Sequence, residues 1–280
     1  MTASRSPIYC ATGVAVTMSI KCIERVIIAT QSLAGARERW SRSGFAIRGT
    51  DGDIEGIRFA RMAAGGIEID LAEVTPGAQG PLAEALAQAV SRGGGIIGWT
   101  WETEGDKGGT GPVVHLPWLD STIEASVVSG GLRGVFTSAM KTDSGLENRR
   151  ELYRQAFGNN SNTVDFLEHI VVMAPVLEDA IAAQEAIGVP CKRIREVGNG
   201  MRQAFFKLEQ TVIEVVGPAR ERPGCWGLAF MCGDIAKAVT VARENGLQAT
   251  EPKKAIQGGL IARIVDPIDG VAVAFMQAAG

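Results

Sequence analysis

Histidine is nearly absent. The 280 residues hold two, His115 and His169. A three-histidine zinc site is excluded within one chain, and a two-histidine, one-carboxylate iron site needs both. A basic surplus is also missing: 28 Lys+Arg against 31 Asp+Glu give a net charge of −3. No electrostatic footprint for nucleic acid exists. Apolar runs of about 18 residues do not occur, so no membrane-spanning helix is expected. Five cysteines show no C-x-x-C spacing and are odd in number. They read as reduced thiols in a cytoplasmic protein rather than a disulfide frame. The first residues carry one arginine before a short apolar stretch, a poor signal peptide. Residues 1–19 are expected to be an N-terminal extension, and Met18 reads as an alternative start. The glycine stretches at 93–95 and 198–200 lack phosphate-loop spacing and read as turns.

What is present is apolar and glycine-rich. The hydrophobic fraction of 46 % is too high for a disordered chain. Glycine supplies 35 of 280 residues, placed beside short apolar runs, as at strand ends and turns. The length fits about two domains.

The chain repeats itself. Residues 24–30 read ERVIIAT and residues 168–174 read EHIVVMA, an offset of 144. Each run is followed by a helix-like stretch, closed by Gly44 in one case and Gly188 in the other, at the same offset. GIEIDLAEV then matches VIEVVGPAR, with Glu68 set opposite Glu214. GIIGWTWE matches GCWGLAFM, with Gly98 opposite Gly227. The division expected is domain 1 over 20–140, a linker helix and loop over 141–162, and domain 2 over 163–277.

Domain 2 reads as strands near 167–173, 192–196, 202–208 and 211–216 with a helix at 177–187. A second unit follows, with a strand at 226–231, a helix at 234–245 and strands near 247–251, 259–265 and 271–276. That is βαβββ twice, an α+β fold whose mixed sheets curl around cavities. After Glu102 the N-terminal copy shows no clear helix.

Alternation puts His169 on one strand face with Val171 and Met173, and Glu214 with Val212 and Val216. A carboxylate flanked by valines faces either solvent or a costly apolar site. Either Glu214 lies on a wet outer face with His169 a hydrogen-bonded core residue, or both point into one cavity. Trp99 and Trp101 align with Leu228 and Phe230 and read as core. Arg25 stands where the other copy has His169. It could bind an anion or pair with Glu68. His115 reads as a loop or surface residue, and Cys191 gains no support as a nucleophile.

The opening LEHIVVMAPVLEDA, the strand VIEVV, WGLAFMCGDIAKAV and VDPIDGVAVAF together resemble the vicinal oxygen chelate superfamily. Its members include glyoxalase I, methylmalonyl-CoA epimerase, extradiol dioxygenases and bleomycin resistance proteins. The resemblance spans about 230 residues and implies two tandem glyoxalase-like domains. It implies a divalent metal held from the first and last strands of paired units. In the C-terminal copy those places fall on His169, Glu214, Gly227 and Ala274. In the N-terminal copy they fall on Arg25, Glu68, Gly98 and Glu124. His169 and Glu214 are therefore the expected catalytic residues, and His169, Glu214 and Glu124 the expected ligands of one divalent ion of unknown identity. The function implied is a lyase- or isomerase-type proton transfer next to a carbonyl. The alternative is a small-molecule binding or resistance protein with a degenerate metal site. The expected partners are a small-molecule substrate or ligand and a second copy of the chain in a homodimer, with no nucleic acid and no membrane.

Overall fold

The computed structural model describes residues 19–54, 56–104, 113–114, 136–140, 145–219, 223–256 and 258–280. Glu124, His115 and Cys10 lie outside the described residues.

Short amphipathic helices alternate with strands throughout. In the N-terminal half, β1 (Ser19–Ala29) leads into α1 (Leu33–Arg42), then β2 (Arg48–Ile54), β3 (Ile57–Ala64) and β4 (Ile67–Val74). Next come α2 (Pro81–Ser91), β5 (Gly95–Glu104), β6 (Val113–Val114) and β7 (Phe136–Met140). A connecting helix, α3 (Gly145–Phe157), follows. The C-terminal half runs β8 (Val164–Met173), α4 (Leu177–Ala186), β9 (Arg193–Gly198), β10 (Met201–Leu208) and β11 (Thr211–Gly217). It continues with β12 (Gly224–Cys232), α5 (Ile235–Glu244), β13 (Lys253–Lys254), β14 (Leu260–Arg263) and β15 (Ala272–Gln277).

Local chemistry explains these limits. Ser32 caps α1 by accepting the Gly35 N–H, and Asp234 caps α5 by accepting the Lys237 N–H at 2.9 Å. Each satisfies a helix-start donor that would otherwise be orphaned. Leu33, Ala36 and Trp40 form the buried stripe of α1, at the spacing that brings side chains to one face. Gly44 and Gly188 end α1 and α4 at φ of 91° and 88°, a backbone region that a side chain disfavours. α2 is absent from the sequence expectation. Its signal is present: Pro81 at the first helical position, after Gly80, with Glu84 in the first turn. The strand expected at 247–251 is reduced to a bridge between Ala249 and Ile264, and pairing resumes at 253–254.

The strands form two mixed sheets, ordered β2-β3-β4-β1-β5-β7-β6 and β13-β14-β15-β12-β8-β11-β10-β9. In the second sheet, β8 lies parallel to β11 and β12 parallel to β15. The antiparallel β8–β12 pair joins the two units. The fold class is α+β with curled mixed sheets, as the sequence implied. One face of each sheet belongs to a continuous apolar core. Trp99, Trp101, Leu228 and Phe230 are all buried in it. The halves meet there, with Phe45 edge-on to Phe230 at 4.8 Å between ring centres. The opposite face of each sheet carries the polar residues.

Both first strands bulge at one equivalent place. Against β5 the register shifts between Ile23 and Arg25, and against β12 it shifts between Leu167 and His169. The extra residues are Glu24 and Glu168, again 144 apart. A bulge re-aims side chains, so each glutamate stands beside the Arg25 or His169 that follows it.

Register also corrects one alignment. Ile27 pairs with Asp70 as Val171 pairs with Glu214, and Arg25 pairs with Glu68 as His169 pairs with Val212. Asp70, not Glu68, is the counterpart of Glu214. Both strand pairs hold the offset of 144, whereas a Glu-to-Glu match needs 146 and ignores the pairing. A shift of two preserves the face, which is why the wrong partner still pointed the right way.

Candidate functional site

The N-terminal polar face is closed by its own charges. Arg25 lies 3.1 Å from Glu68 and 3.2 Å from Asp70, with Glu24 at 3.7 Å. Arg61, from β3, reaches the same two carboxylates at 3.3 and 3.2 Å. Glu24, Glu68 and Asp70 are all buried. Burial, with the Glu68 charge beside it, pushes the Asp70 carboxyl up to about 7 against the pull of Arg25 and Arg61.

The helix α3 lies over this face. Arg149 donates to Glu102, to the Gly66 carbonyl at 3.0 Å and to the Cys22 sulfur at 3.2 Å. Leu146 packs so close to Gly66 that a Cβ there would meet it at 2.6 Å. Burial raises Cys22 to about 12 and Tyr153 to about 12, the latter also by the charges of Glu68 and Glu24. α2 covers the apolar end of the same face, where Ala83, Ala85 and Leu86 meet Ile27, Phe59 and Ala72.

The C-terminal polar face is arranged differently. The imidazole of His169 stands between two carboxylates. Its Nδ1 contacts Glu168, and its Nε2 lies 3.7 Å from Glu214. That second separation is an ion-pair distance, longer than a hydrogen bond. Glu214 is 8 % exposed. Burial raises its pKa, and His169, Arg195 and Arg193 pull it back in part. Gln203, on β10, donates its amide to the Oε1 of Glu214 and accepts from the Nε of Arg195 at 3.0 Å. Arg193 and Arg195 lie over the Phe205 ring at 4.7 and 5.5 Å.

The two expected catalytic residues therefore meet on one sheet face, with Glu214 buried and His169 half-buried. Glu214 is not on the wet outer surface. Glu168, Gln203 and the two arginines were not anticipated. Glu168 had a visible signal, since Glu precedes the key residue in both repeats. Gln203 and the arginines had none, because their role depends on strand register.

The expected metal does not fit the described residues. Among them no group of three or more His, Cys, Asp and Glu side chains could hold an ion. At Gly227 a Cβ would meet the Ala272 carbonyl at 2.5 Å, so a ligating side chain cannot be seated there. Ala274 offers a methyl group. In the N-terminal copy the Arg25 guanidinium fills the space between the carboxylates. The third expected ligand, Glu124, lies outside the described residues.

Neither protein-family models nor curated proteins give a match to the sequence. Solved structures do. A triple mutant of 4-hydroxymandelate synthase from Streptomyces coelicolor superposes with a TM-score of 0.63 at 13 % identity, covering 93 % of both chains. A xylose isomerase-like TIM barrel/4-hydroxyphenylpyruvate dioxygenase fusion protein gives 0.63 and 13 %, over 95 % of this chain. This chain spans half the length of that fusion protein. Methylmalonyl-CoA epimerase from Mycobacterium tuberculosis matches 42 % of the chain at 19 % identity and a TM-score of 0.37. The chain has the tandem vicinal oxygen chelate fold.

Proposed function

We propose that the chain is a small-molecule enzyme of the vicinal oxygen chelate type, which moves a proton next to a carbonyl group. Its reaction class is isomerase- or lyase-like, and its site is the C-terminal polar face. The observation carrying this reading is the His169–Glu214 pair, held on one half-buried sheet face by Gln203 and Glu168. In this reading residues 20–140 and 163–277 are the two domains, and 141–162 connects them.

The chemistry follows from the environment. A carboxylate whose pKa is raised toward neutrality is a stronger base than one in water. Gln203 occupies one oxygen of Glu214, so the other faces the substrate and takes the proton at Oε2. In its imidazolium form, with Nδ1–H on Glu168, His169 donates Nε2–H toward the oxygen on which charge develops. Glu168 holds Nδ1, which fixes the ring orientation. The proton returns from Glu214 to a neighbouring atom of the substrate. The described residues supply no metal step.

A second reading, a binding protein without turnover, is favoured by one observation: Gly227 and Ala274 carry no donor at the family's ligand places. Solvent deuterium uptake tests both. A panel of short 2-oxo acids, hydroxy ketones and acyl thioesters is incubated in deuterated water and followed by proton NMR. Exchange by the wild type and its loss in Glu214→Gln support the enzyme. Equal exchange in Glu214→Gln overturns the assignment. Saturable binding without exchange in either form favours the binding protein.

A further inference from the structure

The two polar faces differ most at one register position. On β3, Arg61 pairs with Asp70; at the equivalent place on β10, Phe205 pairs with Glu214. In the N-terminal half the arginine turns onto the carboxylate and the charges cancel. In the C-terminal half an aromatic ring stands there, and the arginines sit one strand further out. Arg193 pairs with Phe205, and Arg195 with Gln203, so side chains of Val171, Glu214, Phe205 and Arg193 form one row across the sheet. Among the described residues, no ion pair joins Arg193 or Arg195 to a carboxylate, and Arg193 is exposed. Stacking on Phe205 orients both guanidiniums. Gln203 takes the Nε and one Nη of Arg195, so the other Nη stays open.

We propose that Arg193 and Arg195 form an anion subsite, so that the C-terminal site takes a compact molecule bearing a carboxylate or phosphate near its acidic carbon. The proposal rests on the C-terminal pair being the reaction site. Two forked guanidiniums suit planar or tetrahedral oxyanions, which they bind through paired hydrogen bonds. Spacing sets the size. Strands lie about 4.8 Å apart, so Glu214 and Arg193, two strands apart, are separated by roughly 10 Å at the backbone. Both side chains lean into that gap. The anionic group and the carbon losing its proton must therefore be only a few bonds apart. A long acyl chain between them does not fit this arrangement. Among the described residues Glu214 is ion-paired with His169 and with no arginine, which leaves Arg193 and the outer Nη of Arg195 for the ligand and the carboxylate for the proton.

The test titrates the protein with inorganic phosphate and, separately, with malonate at constant ionic strength. The readout is the side-chain Nε–H signals of Arg193 and Arg195 in nitrogen-15 NMR. Saturable shifts are expected with at least one probe. The stronger one identifies the anion as phosphate or carboxylate. Arg193→Gln with Arg195→Gln should weaken binding tenfold or more, the scale of lost charge-assisted hydrogen bonds. Arg193→Lys keeps the charge but not the fork and should bind with intermediate affinity. Binding unchanged in the double glutamine variant, or absent for both probes in the wild type, overturns the subsite. Glu214→Gln separates this inference from the catalytic one. It should keep anion binding and lose deuterium exchange. Arginine-dependent binding with no exchange on any carbon acid would sink the catalytic reading and leave the subsite standing. Exchange that is indifferent to both arginines would do the reverse.

Discussion

Replacing Arg25 by glutamine should damage the fold more than any other single change on the N-terminal polar face. The guanidinium makes the two short contacts to Glu68 and Asp70, and its own side chain is 23 % exposed. Removing one partner of a buried pair costs about 3–5 kcal/mol because the remaining charge is uncompensated. Partial exposure of Arg25 and help from Arg61 place the expected cost near the lower end, about 3 kcal/mol. That corresponds to a melting temperature lower by roughly 5–10 °C. The cost must depend on pH. The fold raises Asp70 from 3.8 to about 7, so the folded chain holds this proton more tightly than the unfolded chain. The stabilising contribution is complete below about 4 and is lost as the pH rises through about 7. Without Arg25 the carboxyl rises further, so Arg25→Gln should be damaged less at pH 5 than at pH 8. Thermal unfolding at pH 5, 6, 7 and 8 measures this. A loss under about 1 kcal/mol, or an equal loss at pH 5 and pH 8, refutes the reasoning.

Further expectations follow from single contacts. Asp70→Asn should flatten the wild-type decline in stability between pH 4 and pH 7, read by the same unfolding series. Gly227→Ala should destabilise by about 1–3 kcal/mol, because the added Cβ meets the Ala272 carbonyl at 2.5 Å; an unchanged denaturation midpoint would contradict that packing. Asp269→Ala should cost about 1–3 kcal/mol by orphaning the buried Trp40 indole N–H, which donates to Asp269 at 3.1 Å, and by freeing Arg39. Tryptophan fluorescence during unfolding would follow it. Among the four described thiols, Cys191 should react first with a thiol reagent. Burial raises Cys22 and Cys232 to about 12 and Cys225 further still, and the thiolate is the reacting form.

Much of the fold was legible because the repeat preserved its landmarks. The offset of 144 recurs at the first strand, at the helix-ending glycines and at the bulge glutamates, and strand alternation grouped His169 with Val171 and Glu214 with Val216 while leaving open whether Glu214 faced solvent. The turn at 198–200 was also readable, since Asn199 and Gly200 close the β9–β10 hairpin with φ of 53° and 72°. What failed needed three-dimensional pairing. Glu68 and Asp70 lie two residues apart on the same face, so only hydrogen-bond register decides which one faces the Glu214 position. α2 was missed although its start signal, Pro81 after Gly80 with Glu84 in the first turn, was present, because the repeat offered no helix at that place. The polar lock around Arg25 was visible only as a choice between an anion site and a pair with Glu68. Its extension to Asp70, Glu24 and Arg61 depends on three neighbouring strands. The arginines over Phe205 carry no sequence signal, because exposed arginines on an edge strand are ordinary.

The central claim is that the C-terminal polar face reacts and the N-terminal face only supports the fold. It is tested most directly by making one substitution at equivalent register positions, Glu214→Gln and Asp70→Asn. Both remove a titrating carboxylate while keeping its shape. Deuterium exchange on the best carbon acid of the panel is then compared in the two folded variants. The account predicts exchange abolished by Glu214→Gln and kept within about twofold by Asp70→Asn. Exchange lost in Asp70→Asn and kept in Glu214→Gln would contradict it.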